Sequence, residues 1–209
     1  MSFKHVVRIG PLRWGLQRLA FWRSAEKLDE IDRLLAPGDR VLDVGAGNGV
    51  LCRQLRRRGY YVVSVDVEDL SFFDDVQPVV YDGVALPFAD DSFDVALLIT
   101  VLHHTPDPDA LLSEARRVAR RVIVIEEIYD TALGKFSTFA IDSLFNLEFF
   151  GHPHTNRTDR GWRTTFQTLG LDVSAAAYSR SLRVLKRVTY SLARNPGGAG
   201  SARAGRIVA

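Results

Sequence analysis

From Arg40 to Ile128, short and almost unbroken apolar runs alternate with stretches whose apolar residues recur every three or four positions. The runs are Arg40 to Val44, Tyr61 to Asp66, Pro78 to Tyr81, Phe93 to Thr100 and Arg121 to Ile128. Continuous apolar character of this length predicts strands covered on both faces, as in a parallel sheet. Val50 to Arg58 and Asp107 to Ala119 carry helical stripes between them, and in the second Leu111, Leu112, Ala115 and Val118 point inward. Ahead of the first strand, Pro11 opens a helical stretch that stops at Ala36-Pro37-Gly38. Its second half has one stripe, Leu28, Ile31 and Leu35. Its first half is apolar on two sides, with Leu12, Leu16 and Leu19 opposite Trp14 and Phe21, and is expected to lie between layers.

Beyond Ile128 the pattern changes. Ala132 to Phe149 reads as an aromatic-rich helical region, broken by Gly151-His152-Pro153-His154-Thr155-Asn156. Thr158 to Leu169 reads as a helix closed by Gly170. Leu171 to Tyr178 and Leu182 to Tyr190 read as strands joined by Ser179-Arg180-Ser181, and so as antiparallel neighbours. The expected organisation is a helical cap (1–38), an α/β domain (39–192) with a helical insert or lid over 131–160, and a disordered tail (193–209).

Composition narrows the partners. The values of 46% hydrophobic and 25% charged residues are globular, and a net charge of +2 is too small to call for nucleic acid. A single cysteine, Cys52, excludes an intramolecular disulfide framework and fits a reducing, cytoplasmic setting; a buried thiol is expected there. Met1 to Gly10 has no continuous apolar core, and no run is long enough to span a bilayer. Arg56-Arg57-Arg58 is expected to be a solvated helix end.

The chemistry concentrates where strands end. Val41-Leu42-Asp43-Val44-Gly45-Ala46-Gly47-Asn48-Gly49 is a strand, a glycine turn and a helix start. Glycines let the backbone turn sharply and approach a ligand, and open α/β sheets bind ligands at the carboxyl ends of their strands. A dinucleotide fingerprint needs its third glycine at the sixth position; Val50 stands there, and the third glycine is Gly49 at the fifth. Asp43, Gly45, Asp66, Asp82, Thr100 and His103 all fall at strand ends.

The run from Asp43 to Gly49 resembles the first motif of class I S-adenosylmethionine-dependent methyltransferases. The stretches Asp82 to Asp94 (Asp-Gly-Val-Ala-Leu-Pro-Phe-Ala-Asp-Asp-Ser-Phe-Asp) and Thr100 to Pro108 are similar to the small-molecule branch that includes the ubiquinone and menaquinone methyltransferases. The resemblance covers about Asp39 to Tyr190. It implies a Rossmann-like three-layer α/β sandwich, with a seven-stranded, mostly parallel sheet and a reversed last strand. It further implies that Asp43, Gly45, Ala46 and Gly47 hold the methionine end of S-adenosylmethionine. Asp66 would take the ribose hydroxyls, Val67 the adenine face, and Asp82 with Gly83 the adenine edge. Thr100 would stand beside the transferred methyl group. Capping of turns is the competing role for Asp66 and Asp82.

A nucleophile that must lose a proton needs a base, and histidine titrates near neutrality. His103 and His104 are the first candidates, with packing against the cofactor or the next helix as the alternative; His152 and His154 come second. Two alternate histidines with no evident third ligand do not make a metal site. In this family the acceptor wall comes from the N-terminal helix and the insert. Here both are aromatic, through Trp14, Phe21, Trp22, Phe136, Phe139, Phe145, Phe149, Phe150 and Trp162, and Glu126-Glu127 is poised to face the pocket. An apolar or ring-bearing small molecule fits such walls, although core packing accounts for the same residues. Two rival roles stay open: a non-catalytic S-adenosylmethionine-binding protein, and a peripheral membrane methyltransferase for a lipid or quinone-like acceptor, whose N-terminal helix lies on the bilayer surface through Trp14, Arg18, Phe21, Trp22 and Arg23. The oligomeric state is not encoded in any pattern above.

Overall fold

The structure, a computed structural model, describes residues 18, 21, 24–130, 155–181 and 185–195. The expectations for Trp14, Trp22, Arg23, the aromatic insert with His152 and His154, and the tail beyond Asn195 lie outside the described residues.

Seven strands form one sheet: β1 (Arg40–Val44), β2 (Tyr61–Asp66), β3 (Val79–Val80), β4 (Phe93–Ile99), β5 (Ala119–Ile128), β6 (Leu171–Ser181) and β7 (Leu185–Arg194). Their order is β3-β2-β1-β4-β5-β7-β6. The first five run parallel, and β7 enters antiparallel between β5 and β6. This is the mostly parallel sheet with a reversed last strand that the resemblance implies.

Side chains of alternate strand positions enter two separate cores. Val41, Val95, Leu97, Ile123 and Ile125 meet Leu28 and Ile31 of helix α1 (24–32) and Cys52 and Leu55 of helix α2 (Val50–Arg57). Leu42, Ala96, Leu98, Val122 and Val124 meet the other face, built by Leu111, Leu112 and Ala115 of helix α3 (Pro108–Val118) and Trp162 and Phe166 of helix α4 (Asp159–Thr168). A strand must be apolar at successive positions to feed both layers, which is why β1, β4 and β5 read as unbroken runs.

Local signals set the helix ends. Asp107 caps α3 by accepting the Ala110 N–H at 3.0 Å, and Pro108 fills the first turn where no N–H is needed. Thr158 caps α4 through the Gly161 N–H at 3.1 Å. Trp162, expected to wall the acceptor, is fully buried and stacks on Phe166 at 6.1 Å, so it is a core residue.

Two expectations need correction. Ser179, Arg180 and Ser181 are the end of β6 rather than a turn, and the strands are joined at 182–184. The last strand runs to Arg194, past residue 192, because its guanidinium donates to the carbonyls of Arg116, Arg117 and Ala119 and pairs with Asp91 at 2.6 Å. The arginine run ending α2 is exposed, as a solvated helix end is expected to be, and two of its members are also tied to the fold. Arg56 donates to the Val62 and Asp75 carbonyls, and Arg58 pairs with Asp29 and Asp32. Among the described residues no helix is long and apolar enough to cross a membrane, and no cluster of His, Cys, Asp and Glu is arranged to hold a metal ion.

Candidate functional site

The site is built along the carboxyl ends of β1, β2, β3 and β4. Asp43, next to last in β1, is almost fully buried, and among the described residues nothing donates a hydrogen bond to its Oδ2. Burial foremost, and then the negative charge of Asp66, push its carboxyl up to about 7; the Arg56 guanidinium offsets part of this. A buried acceptor atom with no donor is a place for a ligand's N–H or cationic group.

The glycine turn that follows is fixed by its backbone. The Gly45 and Ala46 amides both donate to the Val65 carbonyl, at 2.9 and 3.2 Å, and the Gly47 amide donates to Asp66 Oδ2 at 2.7 Å. Gly45 has φ +72°, and a Cβ built there would overlap Val101 Cγ2 and stand 3.0 Å from Val101 Cβ. The turn after β1 is therefore in direct contact with the turn after β4. Gly47, at φ +51°, has open space where its Cβ would be, so its face of the loop is accessible to a bound molecule.

Asp66 and Asp82 both engage the backbone, as the capping alternative requires. Asp66 Oδ1 accepts the Val67 N–H at 2.7 Å. Asp82 Oδ1 accepts the N–H groups of Val84 and Ala85, and these bonds hold its carboxyl below the usual carboxylate range. Capping does not exhaust a carboxylate, whose two oxygens offer about four acceptor positions. Tyr81 lies between the pair. Its hydroxyl is pushed up by burial and by the charges of Asp66 and Asp82. Val67 is exposed, and a Cβ on Gly83 would lie 3.2 Å from Val67 Cγ1, so those two residues adjoin each other as the motif reading requires.

Thr100 ends β4 in the left-handed region, at φ +54°. Such a conformation costs a β-branched residue about 1–3 kcal/mol and marks a position held by its surroundings. Its N–H donates to the Ile125 carbonyl at 2.7 Å, its hydroxyl donates to the Ile99 carbonyl at 2.7 Å, and Lys27 Nζ of α1 donates to that hydroxyl at 3.0 Å. Lys27 has no distinguishing signal in the sequence, because a lysine on a helix is ordinary.

His103 and His104 fall in a single turn of 3-10 helix (Leu102–His104), with ring centroids 4.1 Å apart. His103 is buried, and its Nδ1 lies 2.5 Å from Glu126 Oε2, while Glu126 Oε1 accepts the Leu102 N–H at 2.9 Å. A proton on Nδ1, donated to the carboxylate, makes Nε2 the basic nitrogen of the neutral ring. Glu126 thus serves the histidine turn instead of opening onto a pocket. The signal for this partnership was a glutamate inside an otherwise apolar strand, which must find donors to be buried.

The donor half of this site consists of carboxylates and a glycine cradle, and it suits a ligand with cationic and hydroxyl groups better than a phosphate. The orphaned Asp43 Oδ2, the open face of Gly47 and the Val67–Gly83 contact fit S-adenosylmethionine.

Comparison with known proteins agrees with this geometry. Residues 42–122 match the family model described as a methyltransferase domain. Over 113 residues the chain is 37% identical to the demethylmenaquinone methyltransferase of Corynebacterium urealyticum, covering 52% of this chain and 47% of that protein. Over 131 residues it is 32% identical to the ubiquinone biosynthesis O-methyltransferase of Hahella chejuensis, covering 57% and 49%. The chain thus spans about half the length of these curated relatives. Its fold also superimposes, with a TM-score of 0.63 and 14% identity over 81% of this chain and 79% of the other, on geranyl diphosphate C-methyltransferase from Streptomyces coelicolor in complex with Mg2+, geranyl diphosphate and S-adenosyl-L-homocysteine. Residues 42–122 thus match a methyltransferase-domain family, and the strands take the fold of the solved methyltransferase.

Proposed function

We propose that the chain transfers a methyl group from S-adenosylmethionine to a small apolar or aromatic acceptor. The observation that carries this reading is the row of carboxylates Asp43, Asp66 and Asp82 at the ends of three adjacent strands, beside a glycine loop with an open face. The names of the relatives, demethylmenaquinone and ubiquinone biosynthesis methyltransferases, support a ring-bearing acceptor. A cytoplasmic setting belongs to the same proposal, supported by the single, buried, free thiol of Cys52.

When bound, the cofactor supplies a methyl carbon already activated by a positive sulfur. The protein's share is alignment, charge and exclusion of water. Asp43 faces the positively charged methionine end, with Gly45, Ala46 and Gly47 forming the floor beneath it. Asp66 takes the ribose hydroxyls on the acceptor positions its backbone bonds leave. Val67 covers the adenine face, and Asp82 with Gly83 meets its edge. Thr100 borders the methyl position. His103, or His104 tilted against it, takes the acceptor's proton, with Glu126 fixing the ring of His103. His154 is a further base in this proposal.

Calorimetry with S-adenosylhomocysteine tests the donor half: binding in the micromolar range is expected, and no heat at millimolar concentration refutes the reading. Asp66→Ala should weaken binding by about 30-fold or more, since two charge-assisted hydrogen bonds are lost. An unchanged dissociation constant would remove Asp66 from the ribose site.

A further inference from the structure

We propose that the cleft at the carboxyl end of β5, where β7 and β6 lie beside it, holds the far end of the acceptor, and that this end is an anionic group received by Arg180. The proposal rests on the methyltransferase reading above and deepens it. The observation behind it is a cleft of about 550 Å³ whose wall includes Ile128, Asp130, Asp159, Tyr178, Arg180 and Lys186.

Strand register puts this cleft beside the proposed base. Glu126 lies opposite Val188 on β7, and Ile128 lies opposite Lys186. On the other side of β7, Val188 lies opposite Tyr178 and Lys186 opposite Arg180. Residues directly opposite one another share a face of the sheet, as do alternate residues along a strand. Glu126, Ile128, Tyr178, Arg180 and Lys186 therefore share one face, the face that carries α4 and the histidine turn. The cleft begins one row of the sheet beyond the His103–Glu126 pair. With about 3.3 Å per strand residue and about 4.8 Å between strands, the Cα atoms of Glu126 and Arg180 are about 12 Å apart.

Charge then selects the ligand. Each acid in the cleft wall has its own partners. Asp130 pairs with Lys186, and Asp159 accepts bonds from Arg163 at 3.1 Å, Tyr190 at 2.6 Å and Tyr178 at 3.3 Å. Arg187, deeper in the wall, is buried and pairs with Glu30 at 2.9 Å. Arg180 differs from them. It is exposed, among the described residues no carboxylate bonds its guanidinium, and it stands directly opposite a second cation, Lys186.

Like charges in directly opposed positions destabilise a pair of strands. Asp130 neutralises one of these two cations, and an anion from outside the chain neutralises the other. A guanidinium presents its donors as a planar fork, which fits a carboxylate or a phosphate group through two parallel bonds. Ile128 and the ring of Tyr178 supply apolar surface beside that fork. An acceptor that reaches from His103 to Arg180 is therefore elongated, with the atom to be methylated at one end and the anion at the other.

The test uses two probes with the full chain in the presence of S-adenosylhomocysteine. One is 6-hydroxy-2-naphthoate, whose carboxylate lies at the opposite end from its hydroxyl. The other is 6-hydroxymethyl-2-naphthol, which is neutral and of nearly the same shape. Calorimetry on the native chain should show the naphthoate binding about fivefold or more tighter, the upper end of the range for a partly exposed ion pair. In Arg180→Met that preference should vanish. In Arg180→Lys, which keeps the charge without the fork, at least part of it should remain. A preference that survives in Arg180→Met overturns the role of Arg180, as does its complete loss in Arg180→Lys. A native chain that binds the two probes equally, or binds neither, overturns it as well. S-adenosylhomocysteine titrated into the same samples keeps the two levels apart. Its failure to bind the native chain would sink the methyltransferase reading. Its binding with similar affinity to the native chain and to both variants shows an intact donor site, so that a changed preference reports on the cleft; weaker binding in Arg180→Met would place Arg180 in the donor site and overturn the proposal.

Discussion

Replacing Gly45 by alanine is expected to weaken binding of S-adenosylhomocysteine by about thirtyfold or more while leaving most of the sheet folded. The φ of +72° disfavours any side chain, by roughly 1–2 kcal/mol for alanine. The new methyl group would also overlap Val101 Cγ2, and relief of such overpacking costs about 1–3 kcal/mol more. The turn can escape only by moving away from Val101, which breaks the Gly45 and Ala46 bonds to the Val65 carbonyl and the Gly47 bond to Asp66. Those bonds shape the cradle, so loss of affinity of about thirtyfold or more is expected from a combined penalty of about 2–5 kcal/mol. The double variant Gly45→Ala with Val101→Ala separates the causes. It removes the Cγ2 overlap and keeps both the backbone strain and the Cβ at 3.0 Å, so it should recover part of the affinity and not all. Full recovery would show that backbone conformation is unimportant at this position, and affinity retained in Gly45→Ala alone would contradict the proposed cradle.

Affinity for S-adenosylhomocysteine should also fall as the pH drops through 7, by up to about tenfold per pH unit, as one proton must leave Asp43 for the ligand to bind. The carboxyl at about 7 is protonated below that pH, and a neutral acid has no charge to offer the ligand's ammonium group. Calorimetry in buffers of different ionisation heats should detect release of close to one proton at pH 6 and almost none at pH 8. The stability of the empty protein runs the other way. The acid titrates at about 7 in the folded chain and near the ordinary aspartate value of 3.8 when unfolded, so between these limits the folded state holds a proton the unfolded state has lost. Stability therefore declines as the pH rises through this window and levels off above it. Asp43→Asn should raise the stability of the empty protein at pH 8, by on the order of 2 kcal/mol, and should make binding weak and insensitive to pH. A binding profile unchanged by that substitution would assign the proton to another group.

The residues of the proposed donor half were readable as strand ends in the sequence because the signal is local. Asp43 and the glycines are contiguous, and Asp66, Asp82 and Thr100 each end an apolar run whose period marks it as a strand. Parallel packing then brings strand ends together without further instruction. What the pattern missed depends on contacts between distant segments. Lys27 and Thr100 are 73 residues apart, and Glu126 reaches back 23 residues to His103. Arg56 sits at the exposed, charged end of α2 as expected, but its partners, the carbonyls of Val62 and Asp75, carry no side-chain signature in the sequence. The same holds for Arg194, whose carbonyl partners extended β7 beyond the point where hydrophobic alternation fades. Trp162 was ambiguous, as an aromatic residue near a pocket and one in a core look identical in sequence; α4 places it in the core.

The place of β7 has a consequence for how the molecule is assembled. The parallel strands that carry the donor site are complete at Ile128, yet the outer hydrogen bonds of β5 are met only by residues 185–194. Strand β6 emerges earlier and pairs solely with β7. A nascent chain therefore presents an unpaired, largely apolar edge along β5 for nearly sixty residues of synthesis. Two finished halves then wait for a single strand to join them, and that late insertion is the step at which misassembly between neighbouring chains competes with folding.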